Sequence, residues 1–316
     1  MNIAFVFPGQ GSQAVGMGKD LYDAYPVARE VFEQANEALG FDITRLCFEG
    51  PEQELMLTTN TQPAMLLVSY AAYCALGHTP AVAAGHSLGE YSALVAAGSV
   101  PFADALKLVR ARGQFMQEAV PVGEGAMAAI MGASLEEVTR YLDERAPGGD
   151  RVLEIANYNS PQQIVISGHR DAVERAVREM RAARAVMLPV SAPFHCRLMK
   201  PAEQRLAPEI EKIAFADLRF PIYTNVDACR ITSGEQAKRA LQRQVSRPVR
   251  WTDIIQKMLR DDGITHFVEI GPGKVLSGLI RRIARAEGVP VVLLNVEDRQ
   301  SLEKTRTAIQ AAASSA

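Results

Sequence analysis

The pentapeptide Gly85-His86-Ser87-Leu88-Gly89 constrains this chain more than any other feature of its sequence. It lies between the apolar run Ala81-Val82-Ala83-Ala84 and the helix-forming stretch Leu88–Ala97. The pattern G-x-S-x-G describes a strand-to-helix turn too sharp for Cβ atoms at the two flanking positions, and such a turn lifts a serine hydroxyl clear of a sheet. The helix that follows aims unpaired N–H groups, that of Leu88 among them, at the same point. An ordinary strand–helix turn could use the same residues. The strand before and the helix after supply the context that a nucleophile requires.

Elsewhere the same alternation recurs. Ile3–Phe7 is an apolar run closed by Pro8-Gly9-Gln10-Gly11-Ser12, and His266–Ile270 meets Gly271-Pro272-Gly273 before a helix near Lys274. Val289–Asn295 is a last strand before a closing helix, and helical patterning covers residues 26–39, 62–76 and 102–118. Strands alternating with helices predict a parallel sheet covered on both faces. The middle third differs: strands at Ala126–Met131, Val152–Asn157, Gln163–Ser167 and Ala185–Val190 enclose helices at Leu135–Ala146 and Ala172–Ala183. That β-α-β-β-α-β order is ferredoxin-like. The glycines Gly123, Gly125, Gly148 and Gly149 mark its margins. The expected fold is α/β: an α/β-hydrolase-like core with a parallel sheet, formed by residues 1–125 and 192–316, with an inserted ferredoxin-like small domain over residues 126–191.

Composition narrows the function classes. In 316 residues, 34 Lys and Arg oppose 36 Asp and Glu, a net charge of −2, which leaves no electrostatic footprint for nucleic acid. Cys47, Cys74, Cys196 and Cys229 are widely spaced, against both a zinc site and a disulfide framework. The start reads as a first strand rather than a signal peptide, and Ala64–Gly77 is too short to span a bilayer. These features predict a soluble cytoplasmic protein without metal.

A serine nucleophile needs a base. Of the five histidines, His86 sits inside the turn, His78 in a polar loop, His169 before a helix and His266 at the start of a strand. His195, in Ser191-Ala192-Pro193-Phe194-His195-Cys196, falls where the inserted segment returns to the larger one, and such clefts are where sites form. A surface loop histidine is the alternative. On the helix over residues 102–118, Arg112 shares an apolar stripe with Phe102, Ala105, Leu106, Val109 and Met116. A guanidinium there must snorkel or meet an anion. It forms either a structural ion pair or a two-pronged grip on a substrate carboxylate.

In order along nearly the whole chain, Phe7-Pro8-Gly9-Gln10-Gly11-Ser12-Gln13, Thr61-Gln62-Pro63-Ala64, Gly85–Tyr91, Ala111-Arg112-Gly113 with Met116-Gln117, Asn159-Ser160-Pro161, Ser191–His195, Asn225-Val226-Asp227, Gln244 and Glu269–Gly273 resemble the motifs of one family. It is that of the malonyl-CoA:acyl-carrier-protein transacylases of fatty-acid synthesis, with the related acyltransferase domains of polyketide synthases. The resemblance implies that Ser87 is acylated, that His195 is its base, and that Gln244 orients His195 through its backbone carbonyl. It further implies an oxyanion hole made by the N–H groups of Gln10 and Leu88. Arg112 would bind the malonyl carboxylate, with Met116, Phe194, Gln62, Asn159 and Asn225 completing or supporting the substrate site. A phenylalanine at position 194 resembles the malonyl-selective form of the polyketide acyltransferases. No cofactor is implied. The partners would be malonyl-CoA and holo acyl carrier protein, without nucleic acid or membrane, and the enzyme would act as a monomer. Arg197, Lys200, Arg281, Arg282 and Arg285 are candidates for a basic rim toward an acidic carrier.

Two other classes share the turn. A discrete acyltransferase serving a polyketide synthase would carry the same chemistry. A serine esterase or thioesterase predicts a carboxylate behind the histidine, in the order Ser, Asp or Glu, then His. A scaffold that only binds carrier proteins would need neither Ser87 nor His195.

Overall fold

The computed structural model describes residues 2–145, 151–180, 184–190 and 192–314, with the side chains of 312–314 excepted. Strands β1 (Ile3–Phe7), β2 (Val82–Gly85), β7 (Ile222–Tyr223), β8 (Arg230–Ile231), β9 (His266–Ile270) and β10 (Val292–Val296) form one sheet in the order β10-β9-β1-β2-β7-β8. All its pairings are parallel except β7 with the edge strand β8. Because side chains alternate across a strand, β1 feeds both faces. Ile3, Phe5 and Phe7 pack into one cluster, while Ala4 and Val6 pack into another.

Helices α1 (Thr58–Leu76), α2 (Leu88–Ala96) and α3 (Phe102–Glu118) cover the first face. Among the helices that follow, α4 (Leu135–Arg145), α5 (Arg170–Glu179), α6 (Gly234–Gln244), α7 (Trp251–Arg260) and α8 (Val275–Ala286), the last two cover the second face. With both faces buried, the strands read as continuous apolar runs, which is why β1, β2 and β9 stand out in the sequence. No helix among the described residues is long and apolar enough to cross a membrane.

Between α3 and the return to the large sheet, β3 (Gly125–Met131), β4 (Leu153–Ser160), β5 (Gln163–His169) and β6 (Arg184–Met187) form a separate antiparallel sheet in the order β4-β5-β3-β6. With α4 and α5 this is the expected ferredoxin-like order. Its helices pack through Val138, Ala172, Val173 and Ala176 onto Ala126, Ala128 and Ile130. Val249, packed in the cluster on the second face of the large sheet, pairs with β4: its N–H donates to Ala156 O at 2.9 Å, and its carbonyl accepts from Tyr158 N–H at 2.9 Å.

Several boundaries differ from expectation. The helix expected from Gln62 begins at Thr58, with Pro63 inside it. β4 runs on to Ser160 through two register shifts, which break the period-two pattern. β6 ends at Met187, short of Val190. Helix α5 starts at Arg170, and residues 181–183 of the expected helix lie outside the described residues, as do Ala146, Gly148, Gly149 and Ser191. Strands β7 and β8 carry two residues each, too few to show any periodicity.

The parallel register places Phe7 opposite Gly85, so the turns that leave β1 and β2 lie side by side. A Cβ on Gly89 would stand 2.0 Å from Phe7 O, and one on Gly85 would stand 1.8 Å from Gly89 O. Gly89→Ala is therefore expected to push α2 off β1. It should cost at least about 1–3 kcal/mol, the usual range for overpacking, seen as a lowered thermal midpoint. An unchanged midpoint would show that the helix can slide without loss.

Candidate active site

Ser87 caps the N-terminus of α2 with φ 52° and ψ −107°, a conformation that costs a non-glycine residue about 1–3 kcal/mol. Two side chains hold it there. Asn225 Oδ1 accepts the Ser87 N–H at 2.7 Å, and Gln244 Nε2 donates to the Ser87 carbonyl at 2.9 Å. Asn225 Nδ2 also donates to Gly85 O at 2.7 Å, so one asparagine clamps both sides of the turn. The strained backbone presents the Ser87 hydroxyl to His195 Nε2 at 2.6 Å.

His195 is buried and itself adopts a positive φ of 59°. Its Nδ1 faces the carbonyls of Gln244 and Arg247, both at 3.1 Å. Carbonyls only accept, so Nδ1 carries the proton and Nε2 is left as the acceptor for Ser87. Two carbonyls stand where an esterase triad would place a carboxylate. Burial, with the Arg112 and His86 charges beside it, pushes His195 down to about 3. The imidazole is neutral, with Nε2 facing the Ser87 hydroxyl.

Arg112 reaches the same point from α3. Nη1 donates to Gln62 Oε1 at 2.8 Å, and Nη2 donates to Ser87 Oγ at 3.1 Å and to Gln244 Oε1 at 2.9 Å. The guanidinium lies 5.3 Å from the centre of the Tyr91 ring. The side chain is 1% exposed, and its Nε has no hydrogen-bond partner. Among the described residues Arg112 forms no ion pair within 4.0 Å, so the structural ion pair considered from the sequence is absent. Burial disfavours its charge. A site that keeps a cation desolvated and unpaired is suited to an anion.

The cleft above this group lies between the elbow and the antiparallel sheet. Gln10, Gln62, Ser87, Leu88, Arg112, Met116, Phe194 and His195 all line it. Gln10 arrives through the turn after β1, where Gly9 packs against the His86 carbonyl so closely that a Cβ would stand 2.5 Å from it. Gln10 and Leu88 thus line the same cleft, and Leu88 opens α2, where the first N–H groups have no intrahelical partner. Asn159 and Asn225, expected to complete or support the substrate site, stand behind the cleft. Asn159 Oδ1 meets His86 Nε2 at 2.8 Å, and His86 packs edge-on to Trp251. Both asparagines shape the turn and neither lines the cleft. Their short amides are spent on backbone and ring partners.

Four lining residues escape a reading of the sequence: Met127 on β3, Asn157 on β4, and Leu188 and Val190 just after β6. The alternation of β3 could have marked Met127, which joins Met116 and Phe194 in a satellite cluster. The others sit in irregular backbone without a pattern. Of the basic rim, Arg197 pairs with Glu154 at 3.3 Å and Lys200 with Glu203 at 2.7 Å. Arg282 and Arg285 line a different cavity, beside Pro161 and Gln162.

This fold and site define an acyl transferase: the chain belongs to the acyl transferase domain family, whose model matches residues 4–312. It is 50% identical over 287 residues to the malonyl CoA-acyl carrier protein transacylase of Escherichia coli strain K12, an alignment covering 89% of this chain and 92% of that one. The crystal structure of an acyl carrier protein S-malonyltransferase from Vibrio cholerae superposes with a TM-score of 0.92 at 45% identity, covering 96% of this chain and all of that one. A malonyl-transacylase solved in complex with a type II PKS acyl-carrier protein matches equally, with TM-score 0.92 and 43% identity over 98% of this chain and 100% of that one.

The lowered His195 value has a sign that can be checked. An unfolded chain takes up that proton near 6.5 and the folded one only near 3, so the fold loses stability as pH falls between those values and gains nothing above them. Nitrogen NMR of the histidine rings is expected to show His195 as the neutral Nδ1–H form well below pH 6.5. Protonation at the ordinary histidine value would contradict the buried, cation-flanked geometry.

Proposed function

We infer that the protein transfers the malonyl group from malonyl-CoA to the phosphopantetheine thiol of acyl carrier protein through a malonyl-serine intermediate. The observation that carries this reading is Arg112, buried beside Ser87 with no carboxylate within 4.0 Å among the described residues. A neutral acyl group would leave that guanidinium without a direct ionic partner, and malonate would pair with it.

The reaction runs as two half-reactions. Ser87 Oγ attacks the thioester carbonyl while His195 Nε2 takes the hydroxyl proton. The developing oxyanion is received by the N–H groups of Gln10 and Leu88. The C–S bond breaks, and CoA leaves as the thiol with the proton from His195. The pantetheine thiol then enters, gives its proton to His195 and attacks the malonyl ester. Ser87 leaves with that proton, and the malonyl thioester departs on the carrier. Gln244 positions His195 through its carbonyl, and Arg112 holds the malonyl carboxylate through both steps. Met116 and Phe194 form the apolar wall of the pocket.

The scheme uses only side-chain and backbone groups on an already activated thioester, so we assign no cofactor. One chain supplies every group, which supports action as a monomer. The free thiols of Cys47, Cys74, Cys196 and Cys229 are consistent with a reducing compartment, and we place the enzyme in the cytoplasm. Loading with labelled malonyl-CoA followed by acid quench tests the reading. Label is expected to stay on the protein, to pass to added holo carrier, and to vanish in Ser87→Ala without change in the thermal midpoint. Labelling retained in Ser87→Ala, or release to water faster than to the carrier, would overturn it.

Arg112→Ala removes both the attraction for malonyl and the penalty for neutral acyl groups. Sites that bury a polar group for one ligand reject an analogue lacking its partner by up to about 10⁴–10⁵. Malonyl loading should collapse while acetyl loading from acetyl-CoA becomes relatively favoured. Lys should rescue poorly, since a point charge lacks the planar fork. A folded Arg112→Ala enzyme that still prefers malonyl would place carboxylate recognition elsewhere.

A further inference from the structure

Beneath the catalytic pair lies a carboxylate that the reaction scheme does not use. Glu90 stands in the first turn of α2 and is 1% exposed. Its Oε2 accepts from Gln244 Nε2 at 2.7 Å and from the Asn225 N–H at 3.1 Å, and its Oε1 has no partner. The other end of the Gln244 amide accepts from Arg112 Nη2 at 2.9 Å. A single amide therefore separates the carboxylate from the guanidinium, in surroundings where both are desolvated. Burial pushes the Glu90 carboxyl up to about 7 and disfavours the charge on Arg112; against this, Arg112 favours the ionised Glu90 and Glu90 favours the charged Arg112, so the carboxylate is fully charged only above that value.

We propose that Glu90 is a positioning residue that acts as an indirect counter-charge for Arg112, with Gln244 as the spacer that keeps the two from pairing directly. Direct pairing would occupy the guanidinium fork and compete with the substrate carboxylate. No counter-charge at all would leave a buried cation uncompensated whenever the site is empty. The arrangement lies between these limits. It holds Arg112 in place through one Nη2 bond, partly compensates its charge, and leaves Nε and part of Nη1 unpartnered. The Tyr91 ring face beneath the guanidinium adds to the compensation without using a hydrogen-bond donor. Gln244 cannot turn over to disturb this order. Arg112 only donates, while Ser87 O and an ionised Glu90 only accept, so the amide oxygen must face the arginine.

The consequence runs against the usual effect of losing a buried group. Removing the charge of Glu90 should make the empty site less stable and anion binding tighter, because the anion then supplies all the compensation. The proposal rests on the malonyl reading above, and free malonate separates the two. In Glu90→Gln, measured well above pH 7, malonate is expected to bind about 5-fold or more tightly than to the unaltered protein, the lower end of ordinary coupling between sites. The KM for malonyl-CoA should fall without a rise in kcat, and the malonyl-to-acetyl loading ratio should rise. Glu90→Asp keeps the charge and should bind malonate nearly as the unaltered protein does. A residue that only packs would lower the thermal midpoint and kcat without tightening the anion. Equal or weaker malonate binding by Glu90→Gln, with the unaltered protein binding malonate, overturns the proposal. No malonate binding by the unaltered protein would instead overturn the malonyl reading. Should Glu90→Gln not fold alone, refolding in malonate is the measurement: recovery supports the counter-charge, and failure of Glu90→Gln and Glu90→Met to recover rejects it.

Discussion

The hydrogen bonds that Asn225 and Gln244 make to the backbone of Ser87 hold the rest of the site together. A serine with φ 52° is strained, and a strained residue persists only when its surroundings over-determine it. Here an asparagine takes the N–H and a glutamine the carbonyl, while the glycines on either side let strand, turn and helix approach to distances that no Cβ would permit. The same glutamine then presents its own carbonyl to His195 and its side-chain oxygen to Arg112. Ser87, His195 and Arg112 are thus referred to one residue at the end of α6, and a shift of that residue would move all three.

This sharing explains why the base is held by carbonyls rather than by a carboxylate. A carboxylate at His195 Nδ1 would place a negative charge near Arg112 and compete with the substrate for it. The carbonyls of Gln244 and Arg247 fix the tautomer equally well and add no net charge. The imidazole is held neutral by burial and by the repulsion of the arginine.

Much of the protein is legible in the amino-acid sequence because two local rules dominate its core. Strands buried on both faces read as unbroken apolar runs, and sharp turns between strand and helix require glycine. Together these rules mark β1, β2 and β9, the nucleophile turn and the α/β class, and hydrophobic periodicity alone assigns Arg112 to a buried helix face. The ferredoxin-like order of the inserted segment follows from its succession of strand and helix patterns. The likeness to the acyltransferases supplies what spacing cannot, including the pairing of Gln10 with Leu88 and of Gln244 with His195.

Tertiary structure decided what depends on distances between segments far apart in the chain. Asn225 and Asn159 are 138 and 73 residues from the elbow groups they hold, and no local pattern tells a clamp behind a turn from a ligand in front of it. The two-residue strands β7 and β8 exist only because the large sheet offers an edge to pair with. Met127, Asn157, Leu188 and Val190 become lining residues only where the small sheet faces the elbow. Glu90 is an acidic residue in a first helical turn, where a capping role is the ordinary reading. Its place one amide away from a buried arginine arises only when α2, α3 and α6 converge, because side-chain charges act through space and not along the chain.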